Sequence, residues 1–125
     1  GRTKRTEVMF APAGAIYVYL IYGMHHCLNI VTEKKDYPAA VLIRGVSGIS
    51  GPGRVCNFFK IDRSLNGKKL GRELWIENSP NEDSRYKIQV SRRIGVDYAG
   101  ESKDLPWRFV LLRLRPKSEL RRTSC

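Results

Sequence analysis

A chain of 125 residues is enough for one small domain and too short for two. With 42% hydrophobic and 28% charged residues its composition is that of a folded domain, which excludes wholesale disorder. The net charge of +11, from 23 Lys+Arg against 12 Asp+Glu, points to a polyanionic partner; nucleic acid comes before an anionic membrane surface, because no basic amphipathic helix stands out.

The N-terminal ten residues run from basic to apolar, with Pro12 and Gly14 as punctuation. Residues 16–22, rich in β-branched and aromatic side chains, read as a strand. Met24–Thr32 reads as a second, and the two are expected to pair as a hairpin with its tip near residues 22–24. A polar loop over 33–38 precedes a third, apolar strand over 39–46, expected to lie centrally in a sheet. Ser50-Gly51-Pro52-Gly53 is a helix start, and the short helix after it is expected to turn Val55, Phe58 and Phe59 inward. Asp62–Gly67 reads as a turn or short helix closed by Asn-Gly. Strands are expected at 74–77, 86–90 and 107–114, with a polar loop over 78–85 and a frayed basic tail over 116–125. The expected fold is a single α+β domain over residues 1–125: a curved, mostly antiparallel sheet with a β-hairpin and a few short helices.

Cys27, Cys56 and Cys125 are far apart and odd in number, and no C-x-x-C occurs. Buried reduced thiols and an intracellular location are expected, with no metal site. The start, Gly-Arg-Thr-Lys-Arg, has no apolar core behind it and does not read as a signal peptide. The longest apolar run, residues 13–22, is far short of the roughly 20 residues that a membrane-spanning helix needs.

Several runs carry a resemblance. They are R-T-E-V-M-F at 5–10, Y-V-Y-L-I-Y-G-M at 17–24, L-N-I-V-T-E at 28–33, A-A-V-L-I-R at 39–44, G-P-G-R-V-C at 51–56, I-D-R-S-L-N-G at 61–67, R-I-G-V-D-Y-A-G-E at 93–101 and P-W-R-F at 106–109. Together, and in this order, they resemble the alkyladenine (3-methyladenine) DNA glycosylase family. The resemblance implies an enzyme of DNA base-excision repair that needs no cofactor. Its partner would be double-stranded DNA containing alkylated or deaminated purines, which it flips out before hydrolysing the N-glycosidic bond. It implies that Tyr19 stacks on the flipped base, that Tyr22 at the hairpin tip fills the vacated stack, and that Asn29 and Leu42 line the pocket. Arg44 would lie near the catalytic water and the backbone phosphate.

Each of these has a plainer alternative. Tyr17, Tyr19 and Ile21 share one strand face, so Tyr19 also reads as core. Tyr22 also reads as an ordinary exposed turn residue. Asn29 can serve a backbone group, and Arg44 in an apolar strand can pair with Asp62 or Glu33. Gly51–Arg54 can present backbone N–H groups and Arg54 to a phosphate or merely cap a helix, and Arg93 is a second candidate for the DNA backbone. His25 and His26 read as structural or close to DNA rather than catalytic.

The chain also departs from the family pattern. The general-base glutamate that activates water in the family lies upstream of everything matched here, and Glu7 belongs to a later segment. The stretch between Arg44 and Gly51 is shorter than the family's. Ser102 stands where a tryptophan is usual, and the tail beyond Phe109 does not match. A module that binds lesion or abasic DNA without cleaving it, and a basic RNA-binding or structural protein, are the alternatives.

Overall fold

The computed structural model describes residues 2–78, 86–94 and 97–113. They fall into two compact units, residues 1–77 and 78–125, which are described separately. Helical and antiparallel strand elements coexist, as expected for the α+β class.

The first unit is built on a three-stranded antiparallel sheet, β1 (Ile16–Ile21), β2 (His25–Val31) and β3 (Ala40–Leu42), with β2 in the middle. The register pairs Tyr17 with Asn29, Tyr19 with Cys27, and Asn29 in turn with Leu42. Alternation along each strand then divides the sheet into two faces. One carries Ile16, Val18, Leu28 and Ile30. These pack against Cys56 of helix α1 (Pro52–Phe59) and against Ile61 and Leu65 to form the main core. Each fully buried aliphatic side chain there stabilises the unit by about 1.5–3 kcal/mol. The other face carries Tyr17 and Val31, covered by Val8, Met9 and Ala11 from the 3-10 turn Glu7–Phe10 and its exit.

The outer edge of β1 is not left open. Asn66 Oδ1 accepts the Val18 N–H at 2.9 Å, Gly67 N–H donates to the Ile16 carbonyl, and the Ile16 N–H donates to the Lys68 carbonyl. The short helix expected within Asp62–Gly67 is a 3-10 turn, Arg63–Leu65, capped by Asp62, whose carboxylate accepts the Ser64 N–H at 2.8 Å.

The third strand departs from expectation. It is an edge strand ending at Leu42, and residues 45–50 fold back on themselves as β4 (Gly45–Val46) and β5 (Ile49–Ser50). Two glycines within four residues favour that tight reversal, and Gly48 supplies a positive φ of 80°. Helix α1 buries Val55 but not its two phenylalanines. Phe58 and Phe59 are 66% and 50% exposed and meet edge to face instead. On so short a helix one stripe faces the sheet, and Val55 with Cys56 already fills it. Residues 74–77 form no strand. Leu74 alone joins the core, while Trp75 and Ile76 are exposed.

In the second unit β6 (Tyr86–Ser91) pairs antiparallel with β7 (Arg108–Arg113), and the 3-10 segment Asp97–Asp104 is broken at Gly100, φ 63°. The polar loop expected over 78–85, the tail over 116–125 and Cys125 lie almost wholly or entirely outside the described residues.

Candidate functional site

The register brings three of the candidate residues to one face. Tyr19 opposes Cys27 on β2, and Asn29, two residues along the same strand, opposes Leu42 on β3. Tyr19 and Leu42 are half-buried, so this face is neither sealed nor open to bulk water. Asn29 is 6% exposed, and its amide Nδ2 donates to the carbonyls of Tyr17 at 3.3 Å and Cys27 at 3.4 Å. Its backbone-serving role is thus realised, and the side-chain carbonyl is left as an acceptor.

Arg44 is exposed, two residues beyond Leu42, and joins no ion pair with Asp62, Glu33 or any other described residue. Exposure answers the need for a partner, since the strand expected to bury it ends before it. Its charge is felt at Cys27. Burial pushes that thiol up from its ordinary range, while a hydrogen bond with the Tyr19 side chain and the Arg44 guanidinium pull against the rise. Burial also raises the Cys56 thiol, and both cysteines are free.

The hairpin tip is a three-residue loop, Tyr22–Met24, in which the Met24 N–H donates to the Ile21 carbonyl at 3.1 Å. Tyr22 and Gly23 both have positive φ, 52° and 67°. Such backbone suits the twist of a tight hairpin, and Asn or Gly would adopt it more readily than tyrosine. The Tyr22 side chain is 91% exposed.

Helix α1 begins beside this hairpin. Gly51 (φ 106°) and Pro52 set its first turn, and a Cβ on Gly53 would stand 3.2 Å from His25 Nδ1. Glycine at 53 therefore lets the helix start lie against the base of the hairpin. Arg54, next in sequence, is exposed. Arg93 sits in the second unit, where Nη2 donates to the Ser102 carbonyl and hydroxyl and the guanidinium lies over the Trp107 ring at 5.2 Å. Serine at position 102 is therefore part of the Arg93 support.

Sequence reasoning missed Arg5. Its guanidinium lies over the Tyr19 ring, 5.3 Å from the centroid, and Nη2 donates to the Leu20 carbonyl at 3.4 Å. The run R-T-E-V-M-F carried the residue, but no periodicity links a 3-10 approach to a strand fifteen positions on. Glu7 is held by Arg2, with Nη2 to Oε1 at 2.6 Å, and that hydrogen bond keeps its carboxyl below the usual range. A hollow of about 430 Å³ is lined by Ile16 and residues 68–73, and by none of the candidate residues. Among the described residues no group of three or more His, Cys, Asp or Glu is placed to hold a metal ion, and no helix is long and apolar enough to cross a membrane.

The molecule is thus an α+β protein whose central sheet turns an aromatic and amide-bearing face toward an exposed arginine, with a bulky ring at its hairpin tip. The family model described as methylpurine-DNA glycosylase matches residues 1–50 and 47–114, and the chain belongs to that family. The two matched stretches overlap at residues 47–50, within the β4–β5 reversal. Relatives provisionally named 3-methyladenine DNA glycosylase occur in Methanocella arvoryzae, 46% identical over 87% of this chain and 64% of the relative, and in Alkaliphilus oremlandii, 41% identical over 87% and 67%. A third, from an Anaeromyxobacter strain, is 43% identical over 89% of this chain and 61% of its own length. The chain therefore spans somewhat under two thirds to two thirds of the length of these relatives.

Proposed function

We propose that this chain carries the base-recognition and DNA-wedging part of a repair glycosylase that extrudes alkylated or deaminated purines from duplex DNA and hydrolyses their N-glycosidic bond. The observation that carries this reading is the shared face of Tyr19, Asn29 and Leu42, beside a tip on which Tyr22 is almost wholly exposed. An extruded purine needs an aromatic surface to stack on, hydrogen-bonding groups for its edge, and a wedge to occupy the gap it leaves. Tyr19 supplies the first, Asn29 the second and Tyr22 the third.

In the hydrolysis, water adds to the sugar C1′ as the bond to the purine nitrogen breaks and the base takes the bonding electron pair. A neutral purine then needs a proton, a cationic one departs neutral without it, and the proton lost by the water goes to the general base. Arg44 positions that water and the adjoining phosphate through the forked N–H donors of its guanidinium. The resemblance puts the general base upstream of the first matched run. Arg54 meets the phosphate backbone alongside the hairpin, and Arg93, braced by Ser102 and Trp107, is a second backbone contact.

A duplex containing one hypoxanthine tests this. Tighter binding than to the undamaged duplex is expected, and Tyr22→Ala should weaken the lesion complex more than the undamaged one, by about tenfold if a wedge contributes like other stacked aromatics. Equal losses on both duplexes would remove Tyr22 as the wedge, and equal affinity of the unaltered chain for both would remove the base-binding reading. The alternative, lesion binding without cleavage, predicts the same binding preference but no excision. Measured excision from the same duplex separates the two.

A further inference from the structure

Resting on the base-binding reading of Tyr19, we propose that Arg5 is a specificity-determining residue of that face, biasing it toward neutral purines and against purines that carry a positive charge. Arg5 stands over the ring, 5.3 Å from its centroid, and is anchored by the Leu20 carbonyl. Its segment is fastened by several ties. Thr3 and Thr6 cross-bond, Arg2 joins Glu7 and Asp36, and the Asp36 N–H donates to the Phe10 carbonyl at 2.7 Å. The guanidinium is thus carried by a fixed stretch of backbone.

Among the described residues its charge has no carboxylate partner. Glu7, the acid nearest in sequence, is engaged by Arg2. Arg44 adds a second positive charge near Cys27, which opposes Tyr19 in the ladder.

Chemistry divides the damaged purines by charge. Methylation at guanine N7 or adenine N3 leaves a nucleobase with a formal positive charge, whereas deamination of adenine yields neutral hypoxanthine. A bare tyrosine face attracts cations. With Arg5 already there, an arriving cationic base meets like charge, and a neutral one stacks without that penalty. Two unit charges roughly 6–9 Å apart in a water-like dielectric change affinity about two- to threefold. The effect fades with salt, because Arg5 is exposed.

The test compares binding of the full chain to duplexes holding 7-methylguanine, hypoxanthine or no lesion, near neutral pH. Arg5→Gln should raise the 7-methylguanine to hypoxanthine affinity ratio about two- to threefold, while Arg5→Lys leaves it at the original value. A ratio cancels any loss of folded protein. Should Arg5→Gln not fold, the unaltered chain still answers, since raising salt should move its ratio toward 7-methylguanine. An unchanged ratio in Arg5→Gln, or an unaltered-chain ratio insensitive to salt, overturns the role given to Arg5 while lesion preference persists. Loss of lesion preference in the unaltered chain overturns the base-binding reading itself.

Discussion

Asn29 shows how one buried polar side chain can serve fold and site together. Its two amide protons are held by main-chain carbonyls of β1 and β2, so the side chain is fixed in a single orientation with its oxygen as the remaining acceptor. Asn29→Asp replaces a donor with a carboxylate facing two carbonyl oxygens. We expect it to destabilise the first unit by about 1–3 kcal/mol, read as a lower midpoint of urea unfolding. The sequence marked Asn29 as a polar residue in an apolar strand, but which groups it would satisfy depends on the pairing with Tyr17 and so could be learned only from the register. The thiols give a second expectation at this scale. Because burial raises the pKa of Cys27 and Cys56, neither should react with a thiol reagent at pH 8 until the chain unfolds, as followed in a Cys125→Ser variant.

Among the elements, the hairpin was the most readable and the third strand the least. Alternation of Ile16, Val18 and Leu20 with tyrosines marks a two-faced strand, and a glycine before Met24 marks the turn. The run Ala39–Val46 is equally apolar, but its length concealed a reversal at Ser47-Gly48 that a reading by hydrophobicity overlooks. Helix α1 was placed by its Gly-Pro start, yet its inward stripe was misjudged because its packing surface is only the short sheet face already filled by Val55 and Cys56. At the tip, the positive φ of Tyr22 opposes stability and favours display. Tyr22→Asn should raise the unfolding free energy by about 0.5–1 kcal/mol, measured by chemical denaturation, while abolishing any preference for lesion DNA that depends on the ring. The Asp62 cap carries a pH dependence. The Ser64 hydrogen bond lowers the carboxyl pKa, so its contribution is complete above the ordinary aspartate range near pH 4 and disappears as pH falls through the lowered value. The stability difference between the unaltered chain and Asp62→Asn should accordingly close on acidification.

For the whole molecule, charge was the feature read most directly from composition. A surplus of eleven positive charges predicts DNA affinity that declines linearly on a log–log plot against salt, with Arg54→Gln reducing the slope by about one. The division into two units was not visible in the sequence, which shows no linker rich in proline or glycine between them. Apolar patterning had located β6 and β7, but not that Ile88, Val90, Phe109 and Leu111 share one exposed face of their ladder. In the first unit, the close approach of Gly53 to His25 ties two elements together. Only a hydrogen stands where a side chain would separate the helix from the imidazole. A side chain at 53 would have to displace that imidazole by a few tenths of an ångström, so the start of the helix and the root of the hairpin cannot be altered independently.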